Sequence, residues 1–240
     1  MAVVVKLPAT IIQAEKHTEE ICSLTLKPHK LFPTFKPGQF LHLAIDAYDP
    51  SYPWPESRVF SIASSPARKD IIRITFIIKG AFTRRMYYEL KENDIVWLKL
   101  PYGEFTFSET APSVFIAGGT GITPFIAFLE NIREKKSDSE PVQLHYGVRA
   151  NNHLIYSELI RKCSDEIRGF SHFFYIENYD NFSLPGFVPG QIDIEKIYSM
   201  NRSDDVIYYL SGPNEMIISF RNYLKDQGVN SSHIRTDEWI

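Results

Sequence analysis

Thiols are scarce in this 240-residue chain, which has only Cys22 and Cys163. A disulfide framework is therefore not expected. An iron–sulfur cluster held within the chain is not expected either, because it takes about four thiolates or a close variant. A basic surplus is also missing: 26 Lys and Arg stand against 29 Asp and Glu, a formal charge of −3. Nucleic-acid binders carry the opposite balance, so no nucleic-acid partner is expected. No apolar run approaches the ~18 residues of a membrane span. The N-terminal stretch MAVVVKLPATIIQ lacks a basic leader and a small-residue cleavage site. It is not read as a signal peptide, and a cytoplasmic protein is expected. The histidines show no metal-ligand spacing, so no metal site is expected. No internal repeat or low-complexity segment appears.

Aromatic residues are abundant, with 17 Phe, 13 Tyr and 3 Trp, enough for a sizeable core. The length suits one large domain or two of modest size. Up to about residue 111 the apolar period is mostly two. In EICSLTLK, Cys22, Leu24 and Leu26 share a face. In IIRITFIIK, Ile72, Ile74, Phe76 and Ile78 lie together, opposite Arg73, Thr75 and Lys79. DIVWLKL alternates again. Short strands between Pro, Gly and Asp turns suggest an antiparallel barrel or sandwich, interrupted by one short helix at FTRRMYYEL. From about residue 112, continuous apolar runs (SVFIAG, VQLHYGV, HFFYI, VIYYL) alternate with helical segments. That pattern implies a parallel sheet covered on both faces. The boundary falls in ETAPS, residues 109 to 113, giving domains 1–111 and 112–240. His145 lies in a buried run and is expected to be a satisfied core histidine. Cys22 is expected to be inert.

FIAGGTGITPF lies between the first strand and first helix of the second half. Its glycines permit positive φ and close ligand approach. Thr123 reads as a helix cap followed by Pro124 at the first helical position. Free N–H groups there favour an anion such as a pyrophosphate. A tight strand–helix turn without ligand accounts for the same residues. The loop is neither a P-loop nor the usual dinucleotide fingerprint, since Pro124 stands at the third glycine and no acidic residue follows the second strand. In the first half, Arg58 supplies a bidentate phosphate donor. Arg58 and Phe60 share a strand face, and Ser61 points the other way unless the strand bends. An ordinary barrel strand with an exposed arginine is the plainer alternative. GAFT before a helix is a second candidate anion site.

Together these pieces resemble the ferredoxin–NADP(+) reductase family of flavoproteins over nearly the whole chain. The family's R-x-[YF]-S matches Arg58-Val59-Phe60-Ser61, and its G-x-x-[ST] matches Gly80-Ala81-Phe82-Thr83 after Lys79. The turn leaving the barrel matches Leu100 to Phe105, and G-G-[ST]-G-[IV]-[TA]-P matches Gly118 to Pro124. The later C-G-P motif appears as Ser211-Gly212-Pro213. Each motif is weak alone; the ordered series is specific.

The resemblance implies a Greek-key β-barrel that binds flavin, FAD in preference to FMN, and an α/β domain that binds NAD(P)H. Arg58 would neutralise flavin phosphate, Phe60 would lie against the isoalloxazine, and Ser61 would sit near N5, the hydride acceptor. Thr83 and its N–H would hold the flavin pyrophosphate. Gly119, Thr120 and Gly121 would cradle the nicotinamide nucleotide, with Gly212 and Pro213 beside them. Trp239, in the tail Asp237-Glu238-Trp239, would cover the flavin ring; a buried aromatic anchoring the terminus is the alternative. Ser211 stands where the family has cysteine, and Phe60 lacks the hydroxyl of the commoner tyrosine. Arg149, after the second strand, would suit a 2′-phosphate, whereas Glu177 and Asp180, after the third, would not. Electrons would pass to a separate acceptor: a ferredoxin, a flavodoxin, an oxygenase component or a small molecule. Reduction of free flavin or ferric chelates, and a non-catalytic electron-relay subunit, are the alternatives.

Overall fold

A computed structural model describes residues 3–136, 140–180 and 183–237. The chain divides into two compact units. The first comprises Met1–Phe107 with Thr123–Asn131, and the second Ser108–Ile122 with Ile132–Ile240.

The first unit is built on β1 (Val5–Lys16), β2 (Ile21–Pro28), β3 (Phe40–Ala44), β4 (Ser57–Ser61), β5 (Ile72–Ile77) and β6 (Ile95–Tyr102). All pairings are antiparallel in the order β4-β3-β6-β1-β2-β5. β6 returns to lie between β3 and β1, which makes a Greek-key sheet. The backbone N–H of Ala63, just past β4, donates to the Arg73 carbonyl at 2.7 Å and draws the two edges together. Irregular register in β1 between Ile11 and Gln13, and in β3 between Phe40 and His42, supplies the bends a curled sheet needs.

Alternation fixes what is inside. Leu7, Ala9 and Ile11, Leu24 and Leu26, Leu41 and Leu43, Ile72, Ile74 and Phe76, and Val96, Leu98 and Leu100 form one core. Each fully buried aliphatic contributes about 1.5–3 kcal/mol. Helix α1 (Ala81–Glu89) packs against this core through Phe82, Met86 and Tyr87. The opposite face of β2 and β5 is covered as well. The paired residues Ser23 and Thr75 are buried and share a 2.6 Å hydroxyl contact, extended by His17 Nε2 at 2.7 Å from Ser23. Arg73 pairs with Glu130 at 2.7 Å and donates to the Ala63 carbonyl. Glu130 lies on α2 (Thr123–Lys135), whose turns to Asn131 group with this unit.

The second unit holds β7 (Ser113–Gly118), β8 (Val142–Ala150), β9 (Phe170–Asn178), β10 (Phe187–Pro189), β11 (Ile207–Ser211) and β12 (Ile234–Thr236). They form a parallel sheet in the order β10-β9-β8-β7-β11-β12. Helices α3 (Ser157–Glu166), α4 (Ile194–Met200) and α5 (Asn214–Asp226) alternate with the later strands. Every residue of central β7 is buried, which explains its unbroken apolar run. The chain builds outward from β7 to β10, then returns to β11 on the other side of β7. That reversal is a topological switch point, where parallel sheets bind ligands at the carboxyl ends of their strands.

His145 departs from the expected satisfied core histidine. It is fully buried and stacks on Phe173 at 4.9 Å, with Nδ1 3.0 Å from the Tyr175 hydroxyl. Among the described residues its Nε2 has no partner. Burial lowers its pKa from 6.5 to about 4. The unfolded chain therefore takes up this proton first. The resulting stability is complete above pH 6.5 and is lost as pH falls toward 4. Urea unfolding of the native chain, compared with His145→Gln, should show a loss larger by on the order of 2 kcal/mol between pH 6.5 and pH 5. Parallel slopes in the two proteins would exclude this assignment.

Candidate functional site

In the first unit, Arg58 leaves β4 beside the start of α1. Its guanidinium lies 4.9 Å from the Phe82 ring centroid and bonds Glu56 at 2.7 Å and the Ser57 carbonyl at 2.9 Å, with half of the side chain exposed. Gly80 caps α1 in an extended conformation. Thr83 Oγ1 reaches back to accept the N–H groups of Lys79 at 2.9 Å and Gly80 at 3.2 Å. The N–H groups of Ala81, Phe82 and Thr83 then point out of the helix end without intrahelical acceptors. A Cβ on Gly80 would meet nothing within 4 Å. Neither packing nor backbone conformation requires glycine there, so the open space is available to a ligand. A cation next to a helix N-terminus is an anion site. Val59 is half-buried and pairs with His42. Phe60 is only 9 % exposed, and its ring packs in the barrel core 6.1 Å from Phe76. Ser61 ends β4 and is buried.

In the second unit, β7 runs into a 3-10 turn, Gly119–Ile122. The expected cap at Thr123 is not found. Ile122, in helical conformation, precedes α2, and no side-chain cap is made. The turn feeds directly into the helix, so Thr123 is already helical and buried, with Pro124 in the first turn. The glycines divide into two kinds. A Cβ on Gly121 would lie 2.4 Å from the Ser211 carbonyl oxygen and 2.6 Å from Gly212 N. One on Gly118 would lie 2.7 Å from Pro213 Cδ, and one on Gly212, at φ +150°, 2.9 Å from Gly118 N. These residues press two backbone segments together at the switch point. Gly119 is different: its φ is +55°, and a Cβ would meet nothing within 4 Å. Its open side faces no protein atom at that range.

Ser211 is buried and donates from Oγ to Asp237 Oδ2 at 2.9 Å. Asp237, 7 % exposed, extends the ladder beyond β12 through its N–H to the Leu210 carbonyl. Burial raises its carboxyl from 3.8 to about 7, against the Ser211 hydrogen bond. Sequence reasoning placed Asp237 in an acidic-x-aromatic tail but did not join it to Ser211. Arg149 is exposed near the end of β8 and makes no ion pair among the described residues. Trp239 lies outside the described residues.

Two outcomes follow from this geometry. Gly121→Ala should destabilise the protein by about 2–4 kcal/mol in urea unfolding, because backbone must move, whereas Gly119→Ala should cost about 1 kcal/mol for its φ alone. Equal losses would contradict the division. Asp237 resists ionisation, so its stabilising share is present below pH 3.8 and lost as pH rises through 7. Asp237→Asn should therefore gain stability over the native chain by on the order of 3 kcal/mol on moving from pH 5 to pH 8. A pH-independent difference would count against it.

Residues 115–222 match the model of the oxidoreductase NAD-binding domain. The reductase component of propane 2-monooxygenase from Mycolicibacterium smegmatis is 32% identical over 195 residues, covering 78% of this chain and 52% of that protein. The electron transfer component of anthranilate 1,2-dioxygenase from Acinetobacter baylyi is 27% identical, covering 96% of this chain and 66% of that protein. The chain thus spans between half and two thirds of the length of these curated relatives. A cytochrome P450 reductase from Amycolatopsis shares the fold with a TM-score of 0.83 at 19% identity, covering 99% of this chain and 71% of that one. The Greek-key barrel and the parallel sheet with its switch-point glycines thus go with an oxidoreductase NAD-binding domain match over residues 115–222, a likeness to oxygenase reductase components, and a fold shared with solved reductases.

Proposed function

We propose that the chain is a flavin-dependent NAD(P)H oxidoreductase that passes electrons to a separate acceptor. The observation that carries this reading is a pair of glycines. Gly80 and Gly119 each leave open space at the entry to a helix, beside N–H groups able to meet a phosphate. One belongs to the barrel unit and the other to the parallel-sheet unit.

The residues present fit FAD. Arg58 would bind a flavin phosphate, and the N–H groups of Ala81, Phe82 and Thr83 its pyrophosphate. Lys79 is held against α1 by Thr83, which fixes the approach to that helix end. Phe60, packed in the barrel core, and Ser61 end the same strand, whose edge would lie beside the flavin ring. When bound, FAD supplies a two-electron acceptor that can release its electrons singly. The chain's task is then positional. Gly119, Thr120 and Gly121 hold the nicotinamide nucleotide at the switch point, and Ser211, Gly212 and Pro213 form the facing wall. No side chain need move a proton for hydride transfer itself. Ser211, fixed by Asp237, would orient the nicotinamide in place of the family cysteine, and Trp239 would cover the flavin.

Two cysteines, both free and buried, leave no thiolate set for a cluster in this chain. The named relatives, reductase and electron-transfer components of oxygenases, favour a separate oxygenase component as the acceptor over a ferredoxin, a flavodoxin or a small molecule. Free buried thiols also suit a cytoplasmic location. Among the described residues, no helix is long and apolar enough to cross a membrane.

The purified protein should be yellow, hold about one FAD per chain, and reduce ferricyanide with NADH or NADPH. Arg58→Ala should weaken FAD retention by about tenfold or more, the worth of one charge-assisted phosphate contact. A colourless protein that does not bind added flavin would rule this reading out. Flavin lost on desalting, with turnover restored by excess flavin, would point to a free-flavin reductase instead.

A further inference from the structure

Glu130 sits two turns into α2, about 10 Å along the helix from Thr123. Both of its carboxylate oxygens are engaged. Oε1 accepts from Arg73 Nη2 at 2.7 Å, and Oε2 accepts the Ser65 N–H at 3.2 Å. Arg73 Nη2 also donates to the Ala63 carbonyl at 2.7 Å. The Arg73 N–H donates to Ser64 Oγ at 3.1 Å, and the Arg73 carbonyl accepts the Ala63 N–H at 2.7 Å. Three segments thus meet on one ion pair: β5, residues 63 to 65, and α2.

The pair is enclosed. The Arg73 and Glu130 side chains are 22% and 15% exposed, and Ser64 and Ser65 are buried. The pairs Arg58–Glu56 and Arg85–Asp46 instead leave each side chain 40% exposed or more. Exposed pairs are screened by water and salt and hold little in place. An enclosed pair whose other donors and acceptors bond backbone fixes a geometry, and removing one partner leaves the other without its counter-charge.

Both segments that Glu130 holds lead to the proposed ligand sites. Residues 63 to 65 begin two positions after Ser61, the last residue of β4. At the other end, α2 grows directly out of the 3-10 turn Gly119–Ile122. Ile122 is already helical at φ −67° and ψ −23°, so no extended joint separates the glycine loop from the helix. α2 is divided between the units: Thr123–Asn131 groups with the first, while the glycine loop and the residues from Ile132 onward group with the second. Within the first unit, the ion pair therefore ties the exit of the proposed flavin strand to the helix that the proposed nucleotide loop opens.

We propose that Glu130, with Arg73, is a positioning pair for hydride transfer: it holds α2, and with it the glycine loop, in register with the end of the flavin strand. The inference rests on the oxidoreductase reading given above. Nucleotide affinity comes from the loop's own packing at the switch point, whereas transfer depends on placement, and a misplacement of about 1 Å costs up to about a hundredfold in rate. The effect therefore falls on rate more than on affinity. It is tested on the full flavin-loaded chain by anaerobic stopped-flow reduction, with whichever of NADH and NADPH reduces the native chain faster. Glu130→Ala should lower the limiting rate of flavin reduction by about tenfold or more, with the half-saturating nucleotide concentration within about threefold of native. Flavin content, and the rate at which ferricyanide reoxidises dithionite-reduced flavin, should stay native. Glu130→Gln, which keeps one acceptor oxygen, should lose about threefold or more, and decides the matter if Glu130→Ala fails to hold flavin. Native limiting rates in the variants would overturn the inference, as would an equal slowing of reduction and of ferricyanide reoxidation. If the native chain holds flavin that neither nucleotide reduces, the oxidoreductase reading itself fails, and the inference falls with it.

Discussion

Where β7 and β11 end side by side, peptide units of Gly118–Gly121 and Ser211–Pro213 lie too close to admit a side chain between them. The rest of the second unit follows from this contact. It requires glycine at 118, 121 and 212 for packing, and so leaves Gly119 as the position whose missing side chain opens outward. It also sets Ser211 at the crevice, with its hydroxyl turned to Asp237. Two motifs far apart in the chain are therefore one structural feature. Within the glycine loop, Gly118 and Gly121 press the two segments together, whereas Gly119 leaves open space beside it.

The first unit brings a cation to a helix N-terminus by different means. A curled antiparallel sheet needs bends, and irregular register in β1 and β3 provides them. The curl brings the end of β4 close to α1, so that Arg58 stands over Phe82 at the helix N-terminus. The polar contacts on the outer face, with Arg73 held by Glu130, tie α2's first turns into the same unit. Buried Ser23 and Thr75 are paired, whereas His145 and Asp237 are titratable groups held in the interior. Both resist ionisation because burial outweighs the single hydrogen bond available to each.

Much of this was legible in the chain because periodicity reports burial directly. The alternation in β2, β5 and β6 pointed to an antiparallel barrel or sandwich, and the unbroken runs of β7, β8, β9 and β11 to the parallel sheet. β10 and β12 escaped notice because each is three residues long, and the Phe187–Pro189 strand ends in a residue that ordinarily breaks strands. The Thr123 cap was misread because a 3-10 turn running into a helix leaves no extended residue to act as cap. The Ser211–Asp237 bond joins residues 26 apart through adjacent strands, and no local pattern reports such a contact.

The proposed function requires NAD(P)H to give its hydride to flavin bound on this chain. The most direct test is anaerobic single-turnover mixing of the flavin-loaded chain with NADH deuterated at the transferable C4 position. Bleaching of the flavin absorbance is expected, slowed by a primary isotope effect relative to unlabelled NADH. No bleaching with either NADH or NADPH, in a protein that retains its flavin, would contradict it.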